Sequence, residues 1–121
     1  MIPRFDEIDK KEIQRCFPEF YHERGRFFEI IHKEQPIGFL AIGTIDKDRC
    51  ILGLFIFREY RNGLTKGIVL SILTFPKALG FQRCFITTSK RRIIKVLSMM
   101  RKYGMKDLEV VDDEHLFLMD F

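Results

Sequence analysis

Apolar positions along this chain follow two rhythms, and each predicts a different kind of element. From Phe5 to Tyr21 they recur at helical intervals as Phe5, Ile8, Ile13, Phe17 and Phe20, with Asp6 or Asp9 placed as N-cap and Pro18 ending the first piece near Phe17. The period then shortens. Phe27–His32 and Ile37–Gly43 read as strands around the polar turn Lys33-Glu34-Gln35-Pro36, and Asp46-Lys47-Asp48 turns the chain into a third apolar strand, Cys50–Phe57. These three form an antiparallel meander. The helical rhythm returns in Ile68, Val69, Ile72, Leu73 and Phe75, with Pro76 predicting a kink or a weakened last turn before Gly80. Arg83–Thr88 is a short strand, parallel to Cys50–Phe57 because a helix long enough for a crossover separates them. Ser89 caps a second helix over Lys90–Tyr103, with the stripe Ile93, Ile94, Val96, Leu97 and Met100, and Gly104 stops it. Leu108–Val111 and Leu116–Phe121 close the chain as two strands around Asp112-Asp113-Glu114.

The order predicts one α/β domain of the α+β kind over residues 1–121, a mixed sheet in which the meander is followed by β-α-β-α-β-β. Its parts are an N-terminal helical section (1–26), the meander (27–57), a turn and helix (58–80) and a C-terminal strand, helix and hairpin (81–121). With 46% apolar and 31% charged residues the composition is that of a folded chain rather than a disordered one. No apolar run approaches the ~18 residues of a membrane span, and Met1-Ile2-Pro3-Arg4-Phe5-Asp6 lacks a signal-peptide core, so the expectation is a cytoplasmic protein without membrane contact. Cys16, Cys50 and Cys84 are odd in number and widely spaced among apolar residues. They read as free buried thiols, not as a disulfide framework or a metal site.

The net charge of +4 is unevenly spread. Arg58, Arg61, Lys66, Lys77, Arg83 and Lys90-Arg91-Arg92 carry the positive part, while Asp107, Glu109, Asp112, Asp113 and Glu114 make the end of the chain acidic. The basic part centres on Arg58-Glu59-Tyr60-Arg61-Asn62-Gly63-Leu64-Thr65-Lys66-Gly67, where a strand runs into a helix. The first N–H groups of a helix have no intrahelical acceptor and carry about half a positive charge. An anion, phosphate above all, fits there, and Gly63 and Gly67 let it approach the backbone. A solvated loop before a helix has the same composition.

Ile56-Phe57-Arg58-Glu59-Tyr60-Arg61 resembles the "V-x-P-E-Y-R" entry to the pyrophosphate loop of the GNAT superfamily of acyl-CoA-dependent N-acyltransferases. Met100-Arg101-Lys102-Tyr103-Gly104-Met105 is similar to the "Y-E-K-L-G-F" close of that family's late helix. The resemblance covers most of the chain from Phe27 onward. It implies a sheet splayed at its centre, with the pantetheine arm of acetyl-CoA, or another acyl-CoA, between Leu54–Phe57 and Phe85–Thr88. It implies cofactor contacts from Ile56, Phe57, Arg58, Arg61, Asn62, Gly63, Leu64, Thr65, Lys66 and Gly67. Two departures stand out: Leu64 and Lys66 occupy the family's two loop-glycine positions, with Gly63 and Gly67 one residue to either side, and Met100 stands where the family often has a tyrosine, Tyr103 lying three residues on. The small, Phe-rich and Lys-rich style is also similar to GNAT-like proteins of tailed phages, some linked to head assembly, which would put the chain in a host cytoplasm.

Acyl transfer to an amine needs orientation, a proton acceptor and polarisation of a thioester carbonyl, the last within reach of a strand N–H. Glu59, Glu29 and His32 are the available acceptors, though Glu59 is expected to pair with Arg58 and Arg61. Tyr103 is the candidate proton donor. Two classes of function stay open: an N-acyltransferase acting on an amine of a small molecule or protein, and a catalytically degenerate binding or assembly module with a protein partner or a second copy. The chain shows no nucleic-acid-binding motif, which leaves Lys90-Arg91-Arg92 as a weak third reading.

Overall fold

Seven strands form one mixed sheet in the computed structural model, which describes residues 2–121. The elements are β1 (Arg4–Ile8), α1 (Lys10–Cys16), β2 (Gly25–His32), β3 (Gln35–Thr44), β4 (Arg49–Ile56), α2 (Lys66–Ala78), β5 (Arg83–Thr88), α3 (Arg91–Ser98), β6 (Met105–Val111) and β7 (Glu114–Asp120). Short 3-10 turns lie at Pro18–Phe20, Arg58–Gly63 and Arg101–Tyr103. The spatial order is β1-β2-β3-β4-β5-β7-β6, antiparallel throughout except where β4 meets β5. The mixed sheet, the meander and the parallel β4–β5 pair are as the sequence predicts.

The N-terminal section is not helical throughout. Phe5 and Ile8, three apart, fit a helix, yet Arg4–Ile8 is an edge strand paired antiparallel with Phe27–Ile31. Tertiary pairing overrides the local rhythm: Phe5 stacks on Phe75 of α2 at 4.3 Å, and Arg26 takes Glu7 through two hydrogen bonds of 3.0 and 2.8 Å. That ion pair holds the Glu7 carboxyl below its usual range. Helix begins only after Asp9, whose side chain accepts from Lys11 N at 2.9 Å, and α1 buries Ile13 against the sheet. Asp9→Ala should therefore lower unfolding stability by about 1 kcal/mol, a cap loss readable by urea titration.

The two faces of the sheet carry separate cores. One cluster joins Ile30, Leu40, Ile42, Cys50, Leu52, Cys84, Ile86, Phe117 and Met119 of the strands to Ile68, Ile72 and Leu73 of α2 and Leu97 of α3. A smaller cluster on the other face, Ile13, Phe27 and Phe39, is covered by α1 and the Pro18–Phe20 turn. The β2–β3 and β6–β7 hairpins turn through Lys33-Glu34 and Asp112-Asp113, four residues with positive φ (53°, 62°, 49° and 66°). Such paired values match the right-handed twist of a two-residue hairpin, so the first turn is tighter than the four-residue one the sequence suggests.

Both long helices also differ in detail from expectation. Pro76 sits buried in the last turn of α2, where only one intrahelical bond is forfeited, and the helix runs on to Ala78. Gly80, at φ 99°, then closes it as Phe81 N bonds Pro76 O and Gly80 N bonds Lys77 O. Ser89 does not cap α3: Lys90 is the N-cap without a side-chain bond, and Thr88 Oγ1 accepts from Lys90 N at 3.1 Å. The helix stops at Ser98 instead of Tyr103, and Gly104, at φ 101°, closes the Arg101–Tyr103 turn just before β6.

Candidate functional site

Strands β4 and β5 pair over three rungs only, Arg49↔Arg83, Cys50↔Cys84 and Ile51↔Phe85. Past Ile51 the strands part. β4 stays paired with β3 as far as Gly38↔Ile56, while β5 stays paired with β7 as far as Thr88↔His115. The result is a V whose apex is the Ile51–Phe85 rung. Phe57 N donates to Ile37 O at 2.9 Å, which fixes the alternation along β4. By that alternation the backbone groups of Leu54 and Ile56 turn away from β3, into the V. Leu54 shows the cost of the gap: it lies on the same face as Leu52 and Ile56, which are buried, yet it is 37% exposed because β5 has left its side.

Both splayed strands lead into helix N-termini at the open end of the V. α2 follows β4 through the Arg58–Gly63 turn, and α3 follows β5 directly. Thr65 caps α2, its Oγ1 accepting from Ile68 N at 3.2 Å and its carbonyl from Val69 N at 3.1 Å. The N–H groups of Lys66 and Gly67, first in the helix, have no acceptor within it. The segments that lead into and begin α2 and α3 carry Arg58, Arg61, Lys66, Lys90, Arg91 and Arg92, all exposed, against one carboxylate, Glu59. Positive side chains and helix dipoles thus share the segments that leave the open end of the V. A side chain added at Gly63 would meet nothing within 4 Å, and one at Gly67 only Thr65 Oγ1 at 3.7 Å, so both glycines border open space.

The individual cofactor candidates divide by what they touch. Ile56 is buried and Phe57 belongs to the smaller core through Phe39, at 5.3 Å, so these two build the wall of the V. Arg61 is held at its rim: its Nε donates to Ile56 O at 2.8 Å, and its Cζ lies 5.6 Å from the Phe55 ring centre. Leu64 packs against the main core, and Asn62, Gly63, Thr65, Lys66 and Gly67 are exposed along the loop, as is Arg58. Arg92 was legible in the sequence only as part of a basic run. In the fold its Nη1 donates to Asn62 Oδ1 at 2.9 Å, bridging the loop after β4 to the helix after β5 across the mouth of the V.

The proton-transfer candidates are less well gathered. Glu59 is exposed and, among the described residues, makes no ion pair with Arg58 or Arg61, because Arg61 turns to the strand carbonyl instead. Tyr103 is exposed on the turn after α3, with Lys102 Nζ 5.2 Å from its ring centre, and no hydrogen bond joins it to Glu59. Met100, three residues before it, is buried in the main core, so the position where the family often carries tyrosine is a packing position here. Glu29 lies two strands away on β2, lining a pocket of about 210 Å3 with Ile8, Glu12, Ile13, Cys16, Phe17 and Phe39, and His32 ends the same strand beside the hairpin turn. No group of three or more His, Cys, Asp or Glu able to hold a metal occurs among the described residues, and no described helix is long and apolar enough to cross a membrane.

No protein-family model and no curated protein matches the chain. Solved structures do. The N-acetyltransferase PseH of Campylobacter jejuni in complex with acetyl coenzyme A matches with a TM-score of 0.65 at 12% identity, over 98% of each chain. A spermidine N-acetyltransferase SpeG chimera from Vibrio cholerae and hSSAT matches with a TM-score of 0.70 at 8% identity, over 98% of this chain and 94% of that one. A GNAT family acetyltransferase from Elizabethkingia anophelis with acetyl-CoA bound matches at 0.62 and 13%, over 93% and 84%. At such identities the likeness establishes a shared architecture, that of the GNAT fold, over nearly the whole chain. It lends the phage resemblance no support.

Proposed function

We propose that this GNAT-fold chain is an acyl-CoA-dependent N-acyltransferase that moves an acetyl group to an amine of a small molecule or protein. The observation that carries the reading is the β4–β5 splay opening onto two helix N-termini whose leading segments are rich in basic side chains. The residues present fit acetyl-CoA: the backbone of Leu54 and Ile56 lines a slot for an extended amide-bearing arm, and the Lys66 and Gly67 N–H groups suit a pyrophosphate. When bound, that molecule supplies an activated thioester carbonyl. The Leu54 N–H is the proposed donor to the carbonyl oxygen as negative charge develops there. Glu59, alone among cations, is the proposed acceptor of the amine proton, directly or through water, and Tyr103 the proposed donor to the departing thiolate.

Titration calorimetry of the purified chain with acetyl-CoA, and separately with CoA, tests the reading. Binding near micromolar, about −8 kcal/mol, is the expected result and would justify an amine-acceptor screen. The opposing observation is specific: Arg61 is already engaged by the Ile56 carbonyl and Met100 is buried, as suits a domain that keeps the fold for binding a protein. Absence of heat at high protein concentration would favour that second reading and sink the first.

A further inference from the structure

Cys50 and Cys84 are register partners, the middle of the three rungs that join the two halves of the sheet. Neighbouring strands run about 4.8 Å apart, inside the window of roughly 4.4–6.8 Å between Cα atoms that a disulfide requires. Both side chains belong to the main core cluster, so both point to the same face of the sheet, and both are wholly buried. They are free thiols. Each sulfur lies 3.8 Å from a carbonyl of the same rungs, Cys50 from Arg83 O and Cys84 from Phe85 O. The neighbouring Cys84 thiol holds the Cys50 thiol below the usual range, and the Cys50 thiol together with burial pushes Cys84 up. One sulfur of the pair is thereby the first to ionise.

We propose that Cys50 and Cys84 are a redox-modification site, closing reversibly to an intramolecular disulfide one rung below the apex of the V when the protein meets hydrogen peroxide. The Cys50 thiolate attacks one peroxide oxygen, the O–O bond breaks, and the other oxygen leaves as water after taking a proton, which makes Cys50 a sulfenic acid. The Cys84 sulfur then displaces that hydroxyl as a second water, and the S–S bond forms. Two thiols are oxidised by two electrons and one peroxide is reduced to two waters. Both sulfurs are wholly buried, so the oxidant reaches them by local opening of the sheet, whose β4–β5 pairing ends one rung on at Ile51–Phe85. The ring so closed contains β4 from Cys50 onward, the basic loop, α2 and the start of β5, which is the unit bearing the proposed anion site, so oxidation ties that unit down at its base.

The test is chemical and independent of acetyl-CoA. In a Cys16→Ser background, which removes the exposed thiol that could link two molecules, hydrogen peroxide should abolish both alkylatable thiols, lower the mass by about 2 Da and yield a Cys50–Cys84 cross-linked peptide. Dithiothreitol should reverse all three changes. The oxidised form should melt roughly 10 °C higher, since the bond constrains a long loop of the unfolded chain. In the same background Cys84→Ala should show no such rise and should leave a Cys50 sulfenic acid trappable by dimedone. The proposal fails if both thiols remain alkylatable after peroxide, or if they gain oxygen without a cross-link.

Discussion

Gly67→Val is expected to fold normally and to bind acetyl-CoA at least tenfold more weakly than the parent chain, and Gly63→Val should follow it. The case begins with what these glycines are not needed for. Neither has a positive φ, which among the described glycines is confined to Gly80 and Gly104. Neither is required by packing, since an added Cβ meets nothing at Gly63 and only an ordinary contact at Gly67. Inside a helix glycine costs roughly 0.5–1 kcal/mol relative to alanine, so on stability alone position 67 favours a side chain. The methyl groups of a valine would stand over the Lys66 and Gly67 N–H groups, where the anion is proposed to sit. Hydrogen bonds to a charged group contribute about 1.5–3 kcal/mol each, and a factor of ten is about 1.4 kcal/mol. Losing one such bond accounts for the expected effect. Circular dichroism and melting temperature report folding, and calorimetry reports affinity. If both variants keep the parent's affinity, the anion is held elsewhere and the loop assignment is wrong.

How much of this was legible in the sequence varied with how local the determinant was. The meander, the parallel crossover and β5 were set by alternation, turn residues and the length of the intervening helix, all of which lie within a few residues of the feature they specify. β1 was not, because its five residues depend on partners 19 to 27 positions away: Phe5 and Ile8 look helical until β2 and α2 are beside them. The cap of α3 failed for a smaller reason, Thr88 and Lys90 supplying the turn that Ser89 would otherwise make. At the site, the basic loop and its glycines were readable as a pattern. The Arg92–Asn62 bridge and the diversion of Arg61 to the Ile56 carbonyl were not, being contacts between elements that only the splay brings together. The same limit applied to Cys50 and Cys84, which in sequence are 34 residues apart (84 − 50) and in the sheet share a rung.

The second large effect separates the glycines of the fold from those of the site. At Gly38, opposite Ile56 in the β3–β4 ladder, an added Cβ would lie 2.2 Å from Phe55 O and 2.9 Å from Ile56 Cα. Both are backbone atoms, so no flexible side chain can move aside. The strands must separate instead, and they would do so at the last rungs before the loop, breaking the Phe57 N to Ile37 O bond of 2.9 Å. Ile37, Phe39 and Ile56, buried at this junction, would lose contact with it. Overpacking against rigid backbone plus a lost ladder bond puts the expected destabilisation of Gly38→Val at about 3–5 kcal/mol. Against a typical domain stability of about 5–15 kcal/mol, that is enough to lower the urea midpoint severely or to prevent recovery of folded protein. Gly43→Ala, five residues on in β3, is the comparison: its added Cβ meets only Ile51 O, at 3.8 Å, and the variant should unfold within about 1 kcal/mol of the parent. Should Gly38→Val unfold at the same urea concentration as Gly43→Ala, β3 and β4 do not approach as closely as described, and the wall of the V that β4 provides would have to be redrawn. If Gly38→Val collapses while Gly63→Val and Gly67→Val fold and lose only affinity, the site and its scaffold are carried by different glycines of the same short chain.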